Sequence, residues 1–307
     1  MTRSHRLGAA LGAVVATLGL LAPVVALGAG PASADTTSVS LTGHGYGHGR
    51  GMGQYGALGY AVDSGWAYHQ ILDHYYGGTV AGQAAAGTIM TVDMTSRDGQ
   101  DTIVAQEQGM MTLPTAAGVT CTSGAPCSVM VQRTGVGTWA VYQGTGCSGG
   151  SAGWTLAAAS VIAPSIAVTA TAGATDNRQE MLQLCEDDGI RWLRGDIWAV
   201  DTGTAQATVN HVPLEGYVQG VVPNESPAAW GTMGGGRGEQ ALMAQAVAAR
   251  SYALADSYNS YAKTCDTTSC QVYAGRAFQS STGTYTDLEG TPAFVNSDQA
   301  VRSTAGE

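Results

Sequence analysis

Lysine is all but missing from this chain: Lys263 is the only one, against 12 arginines. Charged residues of both signs make up only 12% of the sequence, about half the usual share. With a formal net charge of −10 there is no basic patch to displace counterions, so a nucleic-acid partner is excluded. After the N-terminus no apolar run reaches the roughly 20 residues of a membrane-spanning helix. No C-x-x-C is present, and neither close pair of cysteines has a histidine at zinc-ligand spacing, so no metal is expected. The glycine-rich run lacks the Lys-Ser/Thr of a phosphate loop, and no G-x-S-x-G elbow occurs. Nucleotide chemistry and serine nucleophiles therefore have no candidate, and no cofactor is expected.

What is abundant is glycine, 44 of 307 residues, roughly twice the average share. Hydrophobic residues are 44%, ample for a core. The N-terminus reads as a secretory leader over residues 1–34. Arg3 and Arg6 precede the apolar run Leu7 to Ala29, and Ala32-Ser33-Ala34 forms a cleavage site. An uncleaved anchor is the competing reading, but Pro23, the glycines and the cleavage site favour removal. The expected product is a secreted protein with no membrane contact after cleavage. Six cysteines after the leader suit an oxidising compartment. Cys121 with Cys127, Cys147 with Cys185 and Cys265 with Cys270 are the expected bridges, one of fifteen connectivities that six cysteines allow.

Three segments follow the leader. Residues 35–80 are rich in glycine and histidine. Gly43 to Gly51 has glycine at every second position, which excludes an ordinary helix and predicts a loop that approaches something closely. Short helices are predicted over Gln54–Ala61 and Trp66–Tyr76. Residues 81–190 belong to a β-like region with predicted strands at Ile89–Met94, Val129–Gln132, Trp139–Tyr142 and Ile166–Thr171. The pattern continues at Ile197–Val200 and Ala205–Val209, and reads as one small sheet or barrel. Residues 191–307 form the third segment. A helix opens at Pro213-Leu214-Glu215 and is expected to end at Pro223. The longest predicted helix, Gly238 to Ser257, is rich in alanine and expected to be central and buried.

Glu225 is the sharpest chemical candidate. It sits between Pro223 and Pro227, which fix the local chain. A carboxyl held there against the alanine-rich helix would be partly desolvated, the condition for a general acid near neutral pH. The plainer reading is a turn or capping acid. Arg250 and Gln245 are polar residues within the apolar helix. Arg250 either pairs structurally with Glu215, Asp256 or Glu239, or faces a cleft and holds Glu225 or a sugar. His44 and His48 lie on the glycine loop. His69 and His74 are five apart on a predicted helix, which is not zinc-site spacing, so all four read as hydrogen-bonding histidines.

Several blocks together resemble the SpoIID/LytB family of bacterial cell-wall proteins. They are Pro213-Leu214-Glu215-Gly216-Tyr217-Val218-Gln219-Gly220-Val221-Val222-Pro223-Asn224-Glu225-Ser226-Pro227, Ala241 through Ala253 and Cys270-Gln271-Val272-Tyr273-Ala274-Gly275. Arg191-Trp192-Leu193-Arg194-Gly195 and the stretch from Gly43 through Gln54-Tyr55-Gly56-Ala57 to Tyr76-Gly77-Gly78-Thr79 are similar as well. The resemblance implies an α+β fold, a small mixed or antiparallel sheet packed with an alanine-rich central helix, with residues 191–307 as the core. It implies peptidoglycan glycan strands as substrate and a lytic transglycosylase with Glu225 as general acid and base. Arg250, Gln245 and Tyr252 would then orient the glutamate or the sugar, and His48, Gln54 and Tyr55 would line the groove. The alternative is a non-catalytic wall-binding protein that enhances a wall amidase.

Three departures from the family pattern stand out. The Gly43–Ala57 block precedes the glutamate block here, whereas the sporulation protein has it afterwards, so a rearranged domain is expected. Ser269 stands where some relatives place a zinc-binding histidine, which favours a Cys265–Cys270 disulfide. Ala300 to Glu307 resembles the start of a strand that the family continues, so a core truncated at its C-terminal end is expected.

Overall fold

The computed structural model describes residues 51–116, 119, 121–147 and 153–307. The leader expected over 1–34 and the loop histidines His44 and His48 lie outside the described residues. Two helices come first, α1 (Gln54–Val62) and α2 (Tyr68–Tyr75). Strands β1 (Ile89–Asp93), β2 (Thr102–Gln106), β3 (Met111–Thr112), β4 (Cys127–Gly135), β5 (Thr138–Gly144) and β6 (Thr155–Ile162) follow. Next come β7 (Ser165–Ala170), β8 (Leu182–Glu186), β9 (Gly189–Leu193), β10 (Asp196–Asp201) and β11 (Gln206–Pro213). The chain continues through α3 (Leu214–Glu225), α4 (Glu239–Ala255), β12 (Thr264–Cys265), β13 (Ala277–Ser280), β14 (Tyr285–Asp287) and α5 (Val295–Ser303).

The fold is α+β, with two sheets rather than the one small sheet expected. One has six strands in the order β12-β1-β11-β10-β7-β3, the other eight in the order β14-β13-β9-β8-β2-β4-β5-β6. Strand β12 runs parallel to β1, while β1 with β11 and β10 with β11 pair antiparallel. The six predicted strands correspond to β1, β4, β5, β7, β10 and β11. Much of the second sheet escaped notice because its strands break the alternating pattern. In β8 the first four residues are all buried, whereas β6 is largely exposed and built on three successive alanines, which have weak strand preference.

The main core lies between the sheets and α3. Met90 and Val212 from the first sheet meet Val104, Val129 and Trp139 from the second, closed by Tyr217, Val218 and Val221. A second core joins the first and last helices of the described residues. Ala57, Leu58 and Ala61 of α1 and Ile71 of α2 pack with Ala241, Leu242 and Ala244 of α4, Trp230 and Ala300. Burying a side chain the size of Ile71 or Leu242 contributes about 1.5–3 kcal/mol, so this cluster holds the N-terminal segment firmly. The alanine-rich helix is central, as expected: α4 contacts α1, α2, α3 and α5. Its small side chains let those four helices approach closely. Gly56 does the same on α1, since a Cβ there would stand 2.0 Å from the Tyr75 hydroxyl.

Two boundaries differ from expectation. The helix predicted to stop at Pro223 runs through it to Glu225. Proline costs a helix its missing N–H, but only in the last turn here. There the Asn224 side chain donates to the Gly220 carbonyl at 2.8 Å. The supposed strand beginning at Ala300 is instead part of α5. Its buried residues Ser297, Asp298, Ala300 and Val301 recur at helical spacing, and contact with α3 and α4 selects helix over strand. The disulfides are Cys121–Cys127, Cys147–Cys185 and Cys265–Cys270, as expected. Among the described residues no helix is long and apolar enough to cross a membrane.

Candidate active site

Glu225 is the last residue of α3 and is half-buried. Ser226 leaves the helix in an extended conformation, and Pro227 begins the short 3-10 turn Ala228–Thr232. The carboxyl therefore stands at a sharp corner between a helix end and a turn, with proline on either side. The close approach of α3 to its neighbour depends on Gly220. A Cβ there would lie 2.6 Å from the Tyr273 ring and 2.9 Å from the Gly275 carbonyl.

Glu225 opens onto a cavity of about 1090 Å³. Gln54, Gln245, Arg250 and Tyr252 line the same cavity, so five of the seven residues expected at the site converge. Gln54 Nε2 donates to Glu225 Oε2 at 3.1 Å, across 171 positions of sequence. That contact joins the two signature blocks despite their reversed order. Gln245 is buried, and its Oε1 accepts from Ser226 Oγ at 3.5 Å, which ties α4 to the corner after Glu225. Tyr252 is 46% exposed. Burial and the nearby Asp256 carboxylate raise the pKa of its hydroxyl.

Arg250 corrects an expectation. It lines the cavity, yet its guanidinium is buried and occupied. Nε and Nη2 donate to Glu215 Oε1 and Oε2 at 2.9 and 2.7 Å, and Nη1 donates to the Glu307 main-chain oxygen at 2.9 Å. Of the two roles open to it, the structural pair with Glu215 is the one adopted, and it does not hold Glu225. The reason is that α4 packs along α3, with Gln245 beside Ser226 at its C-terminal end and Arg250 further along, beside Glu215 in its first turn. Tyr55 is not among the cavity-lining residues. It is 78% exposed, with its ring 5.0 Å from that of Trp230. His48, expected to line the groove, lies outside the described residues.

Tyr76, Gln271, Glu307 and the helix histidine His69 also line the cavity. Tyr76 holds the Met52 backbone N–H at 3.0 Å, which fixes the entry to α1. Gln271 follows the Cys265–Cys270 bridge and accepts from the buried Tyr217 hydroxyl at 3.2 Å. Burial pushes the pKa of that hydroxyl up. His69 pairs with Glu307 Oε1 at 3.1 Å, and the Tyr68 hydroxyl donates to Glu307 Oε2 at 2.7 Å. Burial, reinforced by Glu307, raises the Tyr68 hydroxyl to about 12. The signal for Tyr76 and Gln271 was present in the quoted blocks as position only. Glu307 carried none, because the partners of its side chain, Tyr68 and His69, lie on a helix far away in sequence.

Chemically, the cavity presents a carboxyl at a rigid corner, an amide nitrogen on it and further amide and phenol groups on the walls. That set suits hydrogen bonding to, and proton exchange with, a polar polymer. Residues 202–307 match the family model SpoIID, described as stage II sporulation protein. No curated protein and no solved structure matches the chain.

Proposed function

The chain carries a SpoIID-family domain at residues 202–307, and from that premise we propose that it is a secreted lytic transglycosylase acting on the glycan strands of peptidoglycan. That match supports a role at the bacterial cell wall. Three disulfides and the leader read over residues 1–34 support export. The observation that carries the reading is the placement of Glu225, half-buried and opening onto a cavity of about 1090 Å³, large enough for sugar rings.

In the proposed reaction Glu225, protonated, gives its proton to the oxygen that links N-acetylmuramic acid to N-acetylglucosamine. The C–O bond breaks and positive charge develops at the anomeric carbon. The Glu225 carboxylate then takes the proton of the muramic 6-hydroxyl, whose oxygen bonds to that carbon and closes a 1,6-anhydro ring. No water enters, and the enzyme returns to its starting protonation. Because the nucleophile belongs to the substrate, one carboxyl suffices where ordinary glycosidases use two.

The test is mass spectrometry of purified stem-peptide-free glycan after incubation with the protein. Anhydromuramic ends are expected from the native protein and none from Glu225→Gln. Reducing ends, heavier by one water, would identify a hydrolase instead. No new ends, together with stimulation of a wall amidase that survives Glu225→Gln, would establish the amidase-enhancing role and overturn the enzymatic one.

A further inference from the structure

We propose that Gln54 is a positioning residue for Glu225, so that the reactive centre is assembled from two separate segments and residues 202–307 alone do not complete it. The proposal rests on the transglycosylase reading and adds a role that a sugar-contacting residue would not have. Gln54 Nε2 is already engaged by Glu225 Oε2 at 3.1 Å, so one of its two N–H donors faces the acid.

Both partners are held by rigid elements. Gln54 is the first residue of α1. One turn later Ala57 and Leu58 are buried against α4. Just before it, the Met52 N–H is fixed by the Tyr76 hydroxyl. Glu225 is fixed by the end of α3 and by Ser226, whose N–H bonds back to the Val222 carbonyl at 2.9 Å. Two independently anchored backbones thus set the distance, and a flexible glutamine is held in one rotamer between them. A donor on one carboxyl oxygen leaves the other, Oε1, as the atom that carries and transfers the proton. It also stops the carboxyl rotating away from the glycosidic oxygen. Displacement of a reacting group by about 1 Å costs on the order of a hundredfold in rate.

The experiment has two arms on the full chain. In the first, side-chain amide signals are followed by ¹⁵N–¹H NMR, with that of Gln54 identified by its loss in Gln54→Ala. Glu225→Ala, which removes the acceptor, is expected to shift the Gln54 signal and leave those of distant glutamines such as Gln183 in place. An unmoved Gln54 signal overturns the proposal whether or not the protein is an enzyme. In the second arm, cleavage of stem-peptide-free glycan is measured. Gln54→Ala, which removes the donor, and Gln54→Glu, which keeps the shape but sets a second carboxyl against Glu225, are expected to lower kcat about ten- to a hundredfold with KM little changed. A rise in KM at constant kcat would make Gln54 a sugar-binding residue and overturn the proposal. If the native protein yields no anhydromuramic ends, the transglycosylase reading fails, and the Gln54–Glu225 pairing is judged by the NMR arm alone.

Discussion

Arg250 and Glu215 form a two-point ion pair between α4 and the first turn of α3, with the arginine side chain 1% exposed and the glutamate 38%. The pair sits in the interface that holds the glutamate-bearing helix in place. Removing one member of a buried pair leaves an uncompensated charge and costs about 3–5 kcal/mol. Since Glu215 is 38% exposed, water screens part of the loss and the cost falls to or below the low end of that range. Glu215→Gln is expected to cost about 2–3 kcal/mol in urea unfolding. A loss below about 0.5 kcal/mol would mean that the arginine finds another counter-charge.

Gly220→Ala sets two effects against each other. Alanine is worth about 1 kcal/mol more than glycine inside a helix. Against this, the new methyl would sit 2.6 and 2.8 Å from two atoms of the Tyr273 ring and 2.9 Å from the Gly275 carbonyl. Tyr273 is buried and stacked on Tyr217, so neither the ring nor the backbone can yield cheaply. Overpacking of this kind costs about 1–3 kcal/mol, and steric strain is expected to win. Thermal unfolding should show a lower Tm. A raised Tm would show that helix preference prevails.

The pH dependence of stability contains opposing contributions. Burial, with the Asp98 carboxylate nearby, raises Asp93 from 3.8 to about 7. The folded protein keeps a proton that the unfolded chain has released, so this contribution is complete below about 3.8 and lost as pH rises through about 7. Burial likewise raises Glu239 to about 7, adding to the same slope. His211, stacked on Trp198 with ring centroids 4.3 Å apart, runs the other way. Burial lowers it from 6.5 to about 4, so stability gained from the neutral ring grows as pH rises over that interval. The slopes oppose one another up to about 6.5, and only the acidic groups contribute above it. Asp93→Asn, neutral at every pH, is expected to gain on the native protein by on the order of 1 kcal/mol between pH 6.5 and 8. Equal slopes for the two proteins in that range would refute it.

The disulfides are expected to differ in what they protect. Cys147–Cys185 spans 38 positions and Cys265–Cys270 spans 5. Loop-closure entropy assigns about 4 kcal/mol to the first and about 2 to the second. Replacing Cys147 and Cys185 by alanine should therefore lower stability more. Replacing Cys265 and Cys270 should lower glycan cleavage more, because Cys270 and Gln271 line the cavity. Paired unfolding and product measurements check both halves.

Much of this molecule was legible from local pattern. Two prolines around Glu225 marked a rigid corner, and repeated alanines marked α4 as the central helix. Strands β4, β5 and β7 announced themselves by β-branched and aromatic residues, since these constraints act between near neighbours in the chain. Other features were decided only by folding. Arg250 had three plausible acidic partners, and the packing of α4 along α3 selected Glu215. Ala300 to Ser303 became helix because Ala300 and Val301 had α3 and α4 to bury against. Gln54 met Glu225 because the α1–α4 core closed the distance between residues 171 positions apart. Side-chain chemistry and backbone restriction are carried by each residue and its neighbours. Which buried charge or donor meets which acceptor depends on how whole helices pack, and that is settled by burial summed over the entire chain.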